Sequence, residues 1–256
     1  HLLEAWSALL GVLLAVGLGS WIYQLTQGLF VPGMRDVISW GAYIVTFAFF
    51  VGLSAGGLIV ASSAEVFGVK ALKPLSRLGV LTALASITCA GLMIIPDLGR
   101  PDRLLNLFIY PQWQSPLIWD VGIIATYFVF SAVDLTVLHR RAHAPTGPAK
   151  TARVLAYVGL PTAVLLHSIT AWIFGLQIAR TWWNTSLMAP VFVVSAILSG
   201  TALVALVALA AQWFGHIELP ARTWRGVTNL IAVSLCVDLF LVACDYITIL
   251  WGNVPR

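Results

Sequence analysis

An all-α, polytopic transmembrane helical bundle follows from three observations on this 256-residue chain. Hydrophobic residues make up 60% of it, charged residues only 9%, and the mean hydropathy is +0.94. A soluble domain is about half apolar and about a quarter charged. Seven apolar stretches reach the ~20 residues that a helix needs to cross a bilayer. Tryptophan and tyrosine crowd the ends of those stretches, as interfacial belts do. The expectation is a single integral membrane domain over residues 1–256, with the lipid bilayer as its solvent.

The first span, near 5–26, is long and lacks a small-residue cleavage pattern, so it reads as a membrane helix rather than a signal peptide. The second, near 38–63, contains Gly52-Leu-Ser-Ala-Gly56-Gly57; glycines four apart let two helix backbones approach closely. The third, near 77–95, runs into Asp97. The fourth, near 116–138, opens on Ser115-Pro116, a capping residue followed by proline in the first turn. The fifth and sixth, near 154–178 and 188–212, carry Pro161 and Pro190 near their starts, where a missing N–H costs little. Ser195, Ser199 and Gly200 give the sixth a small-residue face. The seventh lies near 227–250. The longest connector, about 139–153, is basic and contains proline, and no soluble domain is visible.

Loops after the second, fourth and sixth spans hold nine of the 14 Lys and Arg residues; the other side holds Arg35, Arg100, Arg103, Arg180 and Arg256. The positive-inside rule then puts the amino-terminal side in the cytoplasm. The net charge of +4 is a topology signal, not a nucleic-acid footprint. An odd number of spans leaves the carboxyl end outside, which fits a chain with helices missing at one or both ends.

Charge is scarce, so its clustering carries information. Pro96 to Asp120, between the third and fourth spans, gathers Asp97, Arg100, Asp102, Arg103 and Asp120. At the same outward level stand Trp40 and Tyr43 at the start of the second span, and Arg180 and Asn184 between the fifth and sixth. A bundle of spans two to five would bring these together. A quinone headgroup needs a lipid-facing slot, a hydrogen-bond partner for each carbonyl and groups that exchange protons. The same residues also fit a simpler account, with Asp97 paired to Arg100 at a helix end and Asp120 favouring a helix dipole.

His167 is the one histidine inside a span. It is either a hydrogen-bonded core residue or a proton-handling group. It is one ligand too few for a haem held between two axial histidines. Cys89, Cys236 and Cys244 all fall in apolar spans with no CxxC, which argues against an iron–sulfur cluster, a structural zinc or a disulfide framework. Asp120, Tyr127 and Asp134 are spaced by seven, which keeps them on one helix face; Asp238 and Asp245 repeat the spacing on the last span. Intramembrane carboxylates are costly and point to function. The first column, with Glu65 near its inner end, could carry protons. Alternatively, Asp134 and Glu65 snorkel to the interface and pair with Arg140 or Lys70.

These residues sit in recognisable motifs: Trp40-Gly41-Ala42-Tyr43, Phe50-Val-Gly-Leu-Ser-Ala-Gly-Gly57, Asp97-Leu-Gly-Arg-Pro101, Ser115-Pro-Leu-Ile-Trp-Asp120, and His167-Ser-Ile-Thr-Ala-Trp-Ile-Phe-Gly175 running into Arg180-Thr-Trp-Trp-Asn184. Together they resemble the NrfD/polysulfide-reductase family of quinone-reactive membrane subunits. The resemblance implies a four-helix core holding menaquinone or ubiquinone near the outer surface, with no haem or iron–sulfur cluster in this chain. It implies an extracytoplasmic iron–sulfur partner, joined to a molybdopterin catalytic subunit or a multihaem cytochrome, in the cytoplasmic membrane of a bacterium or archaeon. Asp97, Asp120 and His167 would then exchange protons, with Arg100 tuning the acids. Trp40, Tyr43, Arg180 and Asn184 would hold the headgroup, while Asp102, Arg103 and the 110–114 segment would meet the partner. Where the polysulfide-reductase branch uses a histidine, this chain reads Ser39-Trp40-Gly41-Ala42-Tyr43. Two other classes remain: a proton-coupled secondary transporter, suggested by Asp134, Asp238 and Asp245, and a purely structural membrane anchor.

Overall fold

The computed structural model describes residues 2–38, 40–143 and 149–252. Ser39, the 144–148 part of the basic connector and Arg256 lie outside the described residues. Among the described residues the regular structure is helical: α1 (Leu2–Gln27), α2 (Ala42–Val66), α3 (Ser76–Asp97), the single turn α4 (Asn106–Ile109), α5 (Pro116–His143), α6 (Ala149–Gly175), α7 (Met188–Trp213) and α8 (Ala221–Trp251). All but α4 are long and apolar enough to cross a membrane, which makes this a multi-pass membrane protein. The expected span order holds throughout. The ends differ most at α8, which begins six residues ahead of the expected 227, and next at α5, which ends five residues beyond 138, and α6, which begins five ahead of 154; α2 begins at Ala42 and leaves Trp40 in the preceding coil. Pro161 is a correction: α6 already starts at Ala149, so this proline lies in the helix interior.

The chain forms two compact units. The smaller comprises His1–Phe47 and Gly91–Pro111. Gln24, only 4% exposed, organises it. Its Nε2 donates to the Pro96 carbonyl at 2.7 Å, and its Oε1 accepts from the Tyr43 hydroxyl at 2.7 Å. One amide thus ties the end of α1 to the last turn of α3 and the first of α2. Gly28 stops α1 in the left-handed region, φ 97°, with its N–H on the Gln24 carbonyl.

The larger unit comprises Ala48–Ala90 and Gln112–Arg256. Here α5 packs on α6, α6 on α7 and α7 on α8. The α2 helix is the one they close around, and glycine makes that possible. A Cβ on Gly56 would run into the Ala196 carbonyl and come within 2.8 Å of the Gly200 Cα on α7. One on Gly57 would stand 2.8 Å from the Gly79 carbonyl on α3. Backbones this close gain van der Waals contact that lipid does not compete away. At one end of the unit, Val60, Ala64, Leu72, Leu75, Val204, Ala208 and Val227 form an apolar core joining α2, α7 and α8.

Candidate functional site

The polar residues of the larger unit collect on the faces that touch α2. On α5, Asp120, Tyr127 and Asp134 are 1%, 0% and 5% exposed, although the helix is otherwise mostly lipid-facing. The seven-residue spacing therefore marks the buried face, as expected. Asp120 lies beyond the first turn of α5, where Ser115 Oγ accepts the Leu117 N–H at 3.3 Å. Its own Oδ1 accepts from Thr170 Oγ1 of α6 at 2.6 Å. It is thus a buried carboxyl held across an interhelical contact, not a helix cap. One level further, the Tyr127 hydroxyl donates to the Ser54 carbonyl at 2.8 Å, while Ser54 Oγ donates to the Ala83 carbonyl at 2.6 Å. That network knits α5, α2 and α3.

Three residues before Thr170 on α6 comes His167, 4% exposed, with Nδ1 lacking any hydrogen-bond partner. Its ring packs closely on residue 52, a glycine: a Cβ there would stand 3.2 Å from Cε1 and press the ring aside by a few tenths of an ångström. His167 lines a cleft of about 230 Å³ with Phe49, Gly52, Phe192, Ser195 and Ser199. The cleft lies roughly 12 Å in from the carboxyl end of α6 at ~1.5 Å per residue. An aromatic run leads from it towards that end. His167 and Phe192 have centroids 5.2 Å apart, Phe192 and Phe174 5.7 Å, and Phe174 and Trp183 5.8 Å. Behind the cleft, Ser195 Oγ donates to Asp238 Oδ1 of α8 at 2.6 Å.

Other expected site residues fall elsewhere. Asn184 Nδ2 caps the Gly175 carbonyl of α6 at 2.9 Å, and Arg180 lies exposed in the turns after that helix. Arg100 is a correction. It binds Asp102, and not Asp97, through two hydrogen bonds of 3.0 and 2.9 Å. The pair is fully exposed, and the guanidinium holds the Asp102 carboxyl below the ordinary carboxylate range while Arg100 itself is raised. In the smaller unit Asp97 is half-buried and its Oδ1 has no partner. Glu65 is a second correction: it pairs with Lys73 at 3.3 Å, not with Lys70 or Arg140. Asp134 does not snorkel. It lines a cavity of about 350 Å³ with Glu65, Lys73, Arg77 and Ser62. Asp245 has one buried oxygen without a partner. Thr170, Ser54 and Phe192 were not anticipated; Thr170, one turn from His167 inside the same motif, carried the readable signal.

A bundle of seven long apolar helices with buried carboxyls and one buried imidazole defines a multi-pass membrane protein with polar groups held inside its spans. Residues 30–250 match the family model "Polysulphide reductase, NrfD", and the chain belongs to that family. It is 38% identical to a putative dimethyl sulfoxide reductase membrane subunit of Halobacterium salinarum, over 98% of this chain and 61% of that protein. It is 30% identical to the Hdr-like menaquinol oxidoreductase integral membrane subunit of Archaeoglobus fulgidus, over 93% of this chain and 59% of that one. It is 25% identical to a selenate reductase subunit of Mesobacillus selenatarsenatis, over 93% and 63%. The chain spans about three fifths of the length of these relatives.

Proposed function

We propose that this chain is the quinone-reactive membrane subunit of a multi-subunit oxidoreductase, oxidising or reducing quinone near the outer face of the cytoplasmic membrane. The observation that carries the reading is His167: a buried imidazole nitrogen with no partner, beside an aromatic-walled cleft, one turn from the threonine that holds Asp120. A buried polar atom left unpaired costs about 1–3 kcal/mol, which a ligand's carbonyl would relieve. The cleft is smaller than the ~300–1,000 Å³ of drug-sized pockets, so it suits a ring whose isoprenoid tail stays in lipid. A bound quinone supplies the two-electron, two-proton chemistry. His167 would hydrogen-bond one ring oxygen, with Phe49 and Phe192 beside the ring, and His167 and Asp120, the latter oriented by Thr170, would each take up or release one of the two protons. In the smaller unit Gln24 bonds Tyr43 and the Pro96 carbonyl, and Asp97 follows Pro96 at the end of α3.

The cleft itself is walled by α2, α6 and α7; of the four helices expected to hold the quinone, α3 and α5 support α2 from behind through Gly57–Gly79 and Tyr127–Ser54. The Asp120–Tyr127–Asp134 face, ending at the cavity with Glu65, is the proposed proton path, with Asp238 and Asp245 as secondary groups. The amino-terminal side is cytoplasmic. Electrons pass to an extracytoplasmic iron–sulfur subunit, itself joined to a molybdopterin subunit or a multihaem cytochrome. The names of the dimethyl sulfoxide, selenate and menaquinol relatives support such an assembly. Transporter sites commonly use broken helices, whereas each of the seven spans is continuous, which favours the quinone reading over transport.

The test is quinol-driven turnover of the assembled complex. His167→Gln and Asp120→Asn should each lower it by roughly a hundredfold or more, as expected for loss of a proton-transfer group. Dye-driven turnover of the catalytic partner should be unchanged. Unaltered quinol turnover in both variants would overturn the assignment.

A further inference from the structure

At the other end of the larger unit a cavity of about 890 Å³ opens between the first turn of α3, the last turns of α5 and the connector before α8. Its walls are apolar: Leu78, Leu81 and Leu135, with Leu81 48% exposed. Its rim is basic, formed by Arg77, His139 and Arg140. Arg77 Nη2 and His139 Nδ1 lie 2.6 Å apart, which orients the guanidinium and leaves its other N–H groups to donate elsewhere. Among the described residues neither arginine is salt-bridged to a carboxylate. Glu218 is the one acidic residue on the rim, so two arginines leave one net positive charge.

We infer that this cavity is a binding site for an anionic phospholipid, with its phosphodiester on Arg77 and Arg140 and its acyl chains along Leu78, Leu81 and Leu135. The charge complementarity is that of one phosphodiester against one net positive charge, and guanidinium groups bind phosphate through paired N–H donors. The leucine walls distinguish a lipid from a free anion, because inorganic phosphate has nothing to place against them. Basic pockets between membrane helices are suited to such headgroups. The inference does not rest on the quinone reading: the cavity shares no residue with the His167 cleft, and because Arg77 also lines the Asp134 cavity, its test reads lipid binding and not quinol turnover.

Native mass spectrometry of the full chain in detergent, supplied with phosphatidylglycerol, phosphatidylcholine or inorganic phosphate, tests it. The unaltered protein should hold one phosphatidylglycerol in preference to phosphatidylcholine. An Arg77→Gln/Arg140→Gln variant should hold it about thirtyfold more weakly, from the usual contribution of each basic residue near a lipid surface. An Arg222→Gln/Arg225→Gln variant, equal in charge loss but outside the cavity, should bind as the unaltered protein does. Equal binding by the cavity variant, no preference over phosphatidylcholine, or displacement of the lipid by inorganic phosphate each overturns the inference. Phosphatidylglycerol with a photoreactive tail gives a readout on the unaltered protein: labelling at Leu78, Leu81 or Leu135 supports the site, and labelling confined elsewhere refutes it.

Discussion

The most apolar stretches of helices α2 and α8 are equally hydrophobic, yet 67% of that stretch is buried in α2 and 11% in α8. Hydrophobicity cannot account for the difference, because lipid tails are as apolar as leucine. Residue size can. The α2 helix offers Gly52, Gly56 and Gly57, where neighbouring backbones or the His167 ring approach within a methyl's reach. The α8 helix presents Val233, Leu239 and Phe240, each 59% exposed or more. Between these two helices, glycines set against neighbouring backbones mark the interior one, and large exposed side chains mark the outer one.

The comparison breaks most sharply at Gly56. Gly56→Ala should cost about 3 kcal/mol or prevent folding, since the methyl meets the backbone of α7 rather than a movable side chain. In α8, the methyl of Gly226→Ala meets the Ala71 Cβ at 3.1 Å and the Leu72 Cδ2 at 3.6 Å, side-chain atoms and not backbone, and the change should cost under ~1 kcal/mol. Thermal melts in detergent compare the two, and equal losses would refute the size argument. Next in magnitude, Tyr127→Phe removes the hydroxyl that donates to the Ser54 carbonyl, while Ser54 Oγ keeps the Ala83 carbonyl, and should cost about 1–2 kcal/mol. Asp238→Ala, which removes the acceptor for Ser195 on the more exposed helix, should cost about 0.6 kcal/mol. Lys73→Gln, breaking an ion pair whose lysine is 65% exposed, should stay within about 1 kcal/mol.

The smallest effect is pH-dependent. Asp102 has a depressed folded-state pKa, so whatever the Arg100 pair contributes is present above the ordinary carboxyl range. It is lost as pH falls through the depressed value. Titration of the Asp102 carboxyl by NMR should show its midpoint rise in Arg100→Gln, and high salt should shrink the difference. An unmoved midpoint would rule out the pairing.

How much of this was readable in the sequence depends on range. Span number and order were legible because twenty apolar residues in a row admit few structures. The buried face of α5 was legible because a spacing of seven repeats on one side of a helix. Gly56 was legible as a close contact, though its partner Gly200, 144 positions away, was visible only as a small residue. Pairings failed where several partners were equally near in sequence. Arg100 had Asp97 and Asp102 within three residues, and backbone geometry chose Asp102. Glu65 had Lys70 and Lys73, and the turn after α2 brought Lys73 within reach. Thr170 stood in the His167 motif but gave no sign of its partner, because a threonine on an apolar helix ordinarily bonds its own backbone, as it also does here to Leu166.

The buried column on α5 has an electrical consequence. Asp120 and Asp134 are separated by ~21 Å of helix rise, against a hydrocarbon core of ~30 Å. A proton carried from one to the other would therefore cross about two thirds of the membrane's voltage drop. At ~2.3 kcal/mol per charge per 100 mV, each such passage would couple roughly 1.5 kcal/mol to the membrane potential. Turnover of the complex in sealed vesicles would then respond to an imposed voltage, and loss of the Tyr127 hydroxyl between the two acids would flatten that response.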